Sequence, residues 1–155
     1  MTTSTLMPNR KSTKTVPTEF PYIRNPTILV VGQSHEIFSM VHSSIRSYKG
    51  LEKSTIVNAS NLSDAHEKLL SRNIDFVVSA ENLDDGNGAD FLRNIVEPYA
   101  EQSNRAIGQA IFTSHNPQQY SDNRTPKRYA VFEKSDQEGL LSYMDRTLFL
   151  LAKRG

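Results

Sequence analysis

The sequence predicts an α/β fold in which parallel strands form one sheet that helices cover on both faces. Short apolar runs alternate five times with stretches in which apolar residues recur every three or four positions. The runs are continuously apolar, which is typical of strands buried on both faces. Such alternation favours parallel strands that are joined by right-handed helical crossovers. We therefore expect a doubly wound, five-stranded sheet.

The first strand and helix are the clearest unit. Thr27–Val31 is an apolar run that Gly32 ends, and the following apolar residues, at positions 37, 38, 41, 45 and 48, share one helix face. Gly50 is a typical stop signal after such a helix. Residues 54–57 are the predicted second strand.

The second and third helices follow the same pattern. Asn61 is the predicted N-cap of a helix whose inward side chains are Leu62, Ala65, Leu69 and Leu70. Residues 74–78 form the predicted third strand, and a polar loop precedes a helix with apolar positions 91, 92, 95, 96 and 99. This periodicity of three to four places each apolar set on one face.

The last two strands are predicted within residues 106–113 and at residues 129–132. Ser135 followed by Glu138 has the spacing of a capping box at the start of the last helix. Residues 114–127 contain two prolines and a single large apolar side chain, Tyr120, so no amphipathic helix can be written there. We expect a loop or a short helical turn in place of a fourth helix.

Composition excludes several classes of function. The chain has no cysteine, so disulfides and thiolate metal sites are absent. No apolar run is long enough to span a bilayer, and the N-terminus lacks the apolar core of a secretory signal, so we expect a cytoplasmic protein. Residues 1–25 are rich in Ser, Thr and Pro and are predicted to be a disordered basic tail. The domain is therefore assigned to residues 26–155.

Charge argues against nucleic acid as a partner. The first 26 residues carry four basic side chains and one acidic side chain, a net charge of +3. Because the whole chain has a formal charge of +1, the remainder carries −2. Nucleic-acid binders usually present a concentrated basic face. The mildly acidic charge of the domain gives no indication of such a face, so nucleic acid is not a predicted partner.

The residues that follow each predicted strand are the candidates for a site, because ligands of open parallel sheets bind at the carboxyl ends of the strands. These residues are 32–34, 78–82, 113–115 and 133–135. The sequence has neither a glycine-rich nucleotide loop nor a Gly-x-Ser-x-Gly nucleophile motif. No His-x-x-x-His pair occurs, so no metal site and no cofactor are predicted. His35 and His42 lie two turns apart on one predicted helix, whereas His115 follows a strand.

Between residues 26 and 153 the chain resembles the receiver domain of two-component response regulators. The resemblance is carried by the order and spacing of short motifs: residues 28–31, 63–65, 74–78 and 83–88, with Thr113 and Lys134 after the fourth and fifth strands. It implies a flavodoxin-like (CheY-like) sheet with strand order 2-1-3-4-5 and a degenerate fourth helix.

The same resemblance implies that the phosphorylation site is vestigial. Receivers accept a phosphoryl group on an aspartate after the third strand, beside a magnesium ion that two acidic residues hold, while a hydroxyl and a lysine bind the phosphoryl oxygens. This sequence has Gly32 and Gln33 at the acidic pair and Ala80 at the acceptor, and it keeps only Thr113 and Lys134. A one-residue slip in the alignment would instead place Glu81 at the acceptor position, as a permanent charge near Lys134.

Three functions remain open at this stage. The favoured one is a non-enzymatic pseudo-receiver that acts as an interaction, signalling or localisation module in bacterial two-component signalling, independently of phosphorylation. Its partner would be another protein, a linked output domain or a second copy bound through the fifth strand and last helix. Expected contact residues are Tyr129, Phe132, His115 and Tyr120. The alternatives are phosphorylation at an unusual acceptor and a sensor that holds a flavin-like or quinone-like ligand in the strand-end cleft.

Asp84 and Asp85 are interpreted as turn residues.

Overall fold

Five parallel strands form the central sheet, as the sequence predicts. The structure is a computed structural model and describes residues 25–113 and 129–154. The strands are β1 (Thr27–Val31), β2 (Thr55–Ala59), β3 (Phe76–Ala80), β4 (Gly108–Thr113) and β5 (Ala130–Glu133). They lie in the order β2-β1-β3-β4-β5, so the predicted fold class and strand order are confirmed. The edge strands are β2 and β5.

Helices connect the strands and cover the sheet. They are α1 (His35–Ser47), α2 (Leu62–Ser71), α3 (Gly88–Phe91), a π-helical turn (Leu92–Val96), α4 (Glu97–Gln102) and α5 (Gln137–Arg154). From α3 to α4 the helix is continuous and corresponds to the predicted third helix. A short antiparallel hairpin, Asn82–Leu83 with Gly86–Asn87, leads from β3 into α3.

The π-helical turn has a local cause in Pro98. Proline lacks a backbone N–H, and in a regular helix its ring collides with the carbonyl four residues earlier. The turn before it widens, and the N–H of Glu97 bonds to the carbonyl of Leu92, five residues back. The wider turn lets the helix continue through the proline.

The two faces of the sheet bury two separate cores. Side chains alternate along a strand, so Ile28 and Val30 of β1 pack with α1 and α5, whereas Leu29 and Val31 pack with α2 and the α3–α4 helix. All four are fully buried. Burial on both faces explains why this strand reads as a continuous apolar run.

Helix starts agree with the sequence in one case and differ in another. Asn61 Oδ1 accepts the N–H of Asp64 at 2.8 Å, so the predicted cap of α2 is confirmed. The capping box predicted from Ser135 and Glu138 is wrong, because α5 begins one residue later. Asp136 caps it instead, as its Oδ1 accepts the N–H of Gly139 at 3.0 Å.

A few other expectations need correction. Leu70 was predicted to face inward, but 57% of its surface is exposed, because Leu69 already occupies the buried face of α2. The strand β2 extends to Ala59 and β5 to Glu133, each beyond its predicted end, whereas β4 starts at Gly108. A Cβ at residue 108 would lie 2.3 Å from a ring carbon of Phe76, so close packing requires glycine there.

Two predictions fall outside the described residues. These are the disordered tail, of which only Asn25 is described, and the degenerate fourth helix within residues 114–128. In the part of the chain that the structure describes, no helix has the length and apolar character needed to cross a membrane.

The core assignment predicts a large effect for truncation of Ile111. This side chain lies on β4 and is fully buried, so Ile111→Ala should lower the free energy of unfolding by about 2–5 kcal/mol. Urea denaturation measures the change. Leu70→Ala, at an exposed position on α2, is the matched control and should cost far less. Equal effects of the two changes would contradict the burial of β4.

Candidate functional site

Most of the residues predicted to form a vestigial phosphorylation site meet in one cleft at the carboxyl edge of the sheet. This strand-end cleft has a volume of about 240 Å³. Its lining includes five of the six predicted residues, Gln33, Ala80, Glu81, Thr113 and Lys134. The sequence thus predicted which residues come together, because the ends of β1, β3, β4 and β5 share one edge.

Gly32, the sixth residue, is buried beside the cleft. Its N–H donates to the carbonyl of Ala59 at 2.9 Å, which fixes the end of β1 against β2. A Cβ at this position would lie 3.3 Å from Cγ2 of Ile37. An acidic side chain could therefore replace Gly32 only if Ile37 gave way slightly.

Ala80 gives the cleft an apolar floor at the end of β3. Its side chain is only 7% exposed and contributes a methyl group without a nucleophilic atom. Its carbonyl accepts a hydrogen bond from the Ser79 hydroxyl at 2.9 Å. The carbonyl is also tightly approached by Gly88, where a Cβ would lie 2.0 Å from the Ala80 oxygen. The N–H of Gly88 donates to the carbonyl of Glu81 at 2.8 Å, so the start of α3 fixes this strand end.

A short hydrogen bond joins Glu81 to Thr113 in the cleft. Thr113 is 1% exposed, and its hydroxyl Oγ1 donates to Oε1 of Glu81 over 2.6 Å. Hydrogen bonds to a carboxylate are shorter and stronger than those between neutral groups. The hydroxyl at the end of β4 is thus engaged by a carboxylate of the same chain.

Lys134 completes the polar lining from the end of β5. Its N–H donates to the carbonyl of Thr113 at 2.9 Å, which places it directly beside the end of β4. The ion pairs between described residues do not involve Lys134. Glu81 and Lys134 thus bring opposite charges into the lining of the same cleft.

Asp85 has a structural role that its place in a turn did not reveal. Together with Asp84 it forms the two-residue turn of the hairpin, as predicted. Its two carboxylate oxygens accept the N–H groups of Leu62 and Ser63 at 2.8 and 3.0 Å, at the start of α2. These hydrogen bonds lower the pKa of Asp85. Asp85 therefore caps α2 from a distant loop and does not line the strand-end cleft.

The described residues provide no cluster of three or more His, Asp or Glu side chains able to hold a metal ion. Mg²⁺ prefers several hard oxygen ligands in octahedral array. The cleft itself contributes one carboxylate, Glu81, which already accepts the Thr113 hydroxyl.

The expected partner residues differ in accessibility. Tyr129 is 8% exposed and belongs mainly to the core. Phe132 is half-buried, and its ring centroid lies 5.6 Å from that of Tyr143 on α5. His115 and Tyr120 lie outside the described residues.

Several solved structures that are similar to this chain are receiver domains or response regulators. No protein-family model matches the sequence, and no curated protein does. The signal receiver domain of an HD domain-containing protein from Pseudomonas fluorescens Pf-5 is 21% identical, with a TM-score of 0.69 over 85% of this chain and 93% of that chain. The chemotaxis response regulator CheY4 of Vibrio cholerae is 16% identical, with a TM-score of 0.63 over 79% and 98% of the two chains.

A third similar structure is a CheY-like receiver domain protein from Methanospirillum hungatei JF-1, which is 14% identical, with a TM-score of 0.62 over 84% of this chain and 98% of that chain. At these identities the comparisons show the fold. The expected receiver fold is confirmed, and the chain covers nearly the whole length of these domains.

The cap formed by Asp85 predicts a pH-dependent loss of stability. Its folded-state pKa is lowered, so its stabilising contribution is present above the unfolded pKa of an aspartate, about 3.9, and is lost as the pH falls toward the folded value. Asp85→Ala should lower the free energy of unfolding at pH 7, and the difference from wild type should shrink in acid. Urea denaturation at pH 7 and at acidic pH measures both the loss of stability and its decrease in acid. Asp84→Ala is the control in the same turn, and an equal loss there would contradict the cap.

Proposed function

We propose that this receiver-fold domain is a signalling module that neither accepts a phosphoryl group nor requires magnesium, and that it acts by binding another protein. The observation that carries the proposal is the hydrogen bond from Thr113 to Glu81. The resemblance to receivers implies that a hydroxyl at the end of the fourth strand binds a phosphoryl oxygen. In this chain the corresponding hydroxyl, that of Thr113, donates its hydrogen bond to the Glu81 carboxylate instead.

The acceptor position supports the same proposal. Phosphoryl transfer needs a nucleophilic oxygen, together with cations that neutralise the charge on the transferred group. Ala80 supplies only a methyl group at the end of β3. Lys134 supplies one cation to the cleft, and the Glu81 carboxylate balances it within the same lining.

The acidic residues nearby are committed to other contacts. Glu81 accepts the Thr113 hydroxyl, and both carboxylate oxygens of Asp85 accept N–H groups of α2. Recruiting Asp85 to a metal would disturb its two hydrogen bonds to α2. The described lining of the cleft supplies one carboxylate, Glu81, and one cation, Lys134, so it offers no pair of acidic ligands to Mg²⁺.

The protein-binding surface that we propose lies around β5. This strand is at the edge of the sheet, and Phe132 presents a half-buried ring beside Tyr143. Farther along α5, two turns beyond Tyr143, Leu150 is 52% exposed. Aromatic side chains are frequent anchors of protein interfaces, and an exposed leucine adds apolar area beside them. A partner protein, a linked output domain or a second copy would bind here.

The volume of the cleft does not favour the ligand-sensor alternative. Pockets for drug-sized ligands usually enclose about 300–1,000 Å³, and the strand-end cleft has about 240 Å³. Phosphorylation at Glu81 is the alternative that the following experiment distinguishes.

We predict that neither Mg²⁺ nor a phosphate-mimicking beryllium fluoride complex binds at the cleft. Two-dimensional ¹H–¹⁵N NMR should show no saturable shifts at Gly32, Ala80, Thr113 or Lys134, because Glu81 is the single carboxylate among the described lining residues. A receiver with the acceptor aspartate is the positive control.

Variants make this test sharper. The Ala80→Asp variant should likewise show no saturable NMR shifts with Mg²⁺ or beryllium fluoride, since Gly32 and Gln33 still provide no carboxylate for the metal. Incubation with acetyl phosphate and intact-mass measurement checks for covalent modification. A mass increase of one phosphoryl group that Glu81→Gln abolishes would overturn the proposal in favour of an unusual acceptor.

A further inference from the structure

A second concave surface follows the exposed side of α1 next to the edge strand β2. This α1 groove has a volume of about 470 Å³ and shares no lining residue with the strand-end cleft. Its polar lining includes His35, Ser39, His42, Ser43 and Arg46 from α1 and Asn58 from β2. These α1 residues recur every three to four positions, so they form one continuous helix face.

The ionisable side chains that line the α1 groove are all basic. Arg46 is permanently cationic, and the other two ionisable groups are the imidazoles of His35 and His42. No aspartate or glutamate lines the groove. The serine hydroxyls and the Asn58 amide add hydrogen-bond donors. This combination favours an anionic ligand.

Arg46 is held in place without losing its charge. Its NH1 donates to the carbonyls of Glu52 and Ser54 at 2.7 and 2.6 Å. Carbonyl groups orient the guanidinium but carry no formal charge. The ion pairs among the described residues do not include Arg46. The groove therefore contains a preorganised cation that an anionic group can neutralise.

His42 is also oriented by a neighbour. Its Nε2 lies 3.1 Å from Oδ1 of Asn58, at hydrogen-bond distance. When Nε2 donates to this oxygen, the other nitrogen of the neutral ring is an acceptor, so the Asn58 amide nitrogen provides the N–H donors for an anionic ligand. The adjacent Lys68 donates to the Asn58 carbonyl at 2.6 Å and pairs with Asp64, so this pair adds no net charge.

We propose that the α1 groove binds an acidic peptide segment of a partner protein, one rich in Asp and Glu. Nucleic-acid binding draws on contacts to several phosphates, and anionic membranes are typically bound by clusters of about 4–8 Lys and Arg. The groove has one permanent cation flanked by neutral donors, which suits a few carboxylates of a short peptide better than the many phosphates of a nucleic acid or a membrane. Carboxylates spaced along an extended peptide match the row of serine hydroxyls and the Asn58 amide beside Arg46. The proposal does not depend on the β5 surface or on the chemistry of the strand-end cleft.

The test uses a fluorescein-labelled oligoglutamate peptide and the full chain, with fluorescence anisotropy as the readout. His35→Glu and Ser43→Glu place negative charge at two exposed groove positions and leave Arg46 with its carbonyl contacts. Each change should weaken binding about threefold, a value within the range of exposed charge pairs. Added salt should weaken binding of the wild type as well.

The matched control is His66→Glu, the same substitution at an exposed position of α2 outside the groove, which should bind like wild type. Circular dichroism melts check that all variants remain folded. Failure of the wild type to bind the peptide, or equal weakening by His66→Glu, would overturn the proposal. So would tighter binding to a DNA duplex or to phosphatidylglycerol vesicles than to the peptide. None of these outcomes bears on phosphorylation of the strand-end cleft, so the two proposals fail separately.

Discussion

At the carboxyl edge of the sheet, the Thr113 hydroxyl donates to the Glu81 carboxylate over 2.6 Å. The parallel register places Ala80 opposite Phe112, so Glu81 and Thr113 are the next neighbours along β3 and β4. Their bond forms where two central strands end and where a ligand of this fold would bind. Gly88 secures the same point by bonding to the Glu81 carbonyl and packing on that of Ala80. A carboxylate of the chain itself thus accepts the hydrogen bond of the hydroxyl at the strand-end site.

The sequence predicted the sheet well because burial leaves a direct trace in composition. Strands covered on both faces, such as Thr27–Val31 and Phe76–Ala80, are apolar without alternation. The site could be predicted as a group of residues for a related reason, since parallel strands bring their ends to one edge. The contact between Glu81 and Thr113 could not, because it depends on the direction of one side chain beyond a strand end.

Long-range caps were equally hidden from sequence reasoning. Asp85 caps α2 from a turn more than twenty residues away, and no local spacing rule links these positions. Asp136 displaced Ser135 as the cap of α5 because the helix start shifted by one residue. Leu70 was misplaced because a spacing of three to four residues allows two neighbouring positions on a helix face, and only packing decides between them.

Two proposed binding surfaces lie at opposite edges of the sheet, beside β5 and beside β2, while the strand-end site between them stays internally bonded. A double-mutant cycle with Glu81→Ala and Thr113→Val tests this account most directly. Both residues make further contacts, so each single substitution changes the free energy of unfolding through several interactions. The cycle isolates the coupling free energy between Glu81 and Thr113. In urea denaturation the account predicts a favourable coupling of roughly 0.5–3 kcal/mol. Additive costs, with no coupling, would contradict it.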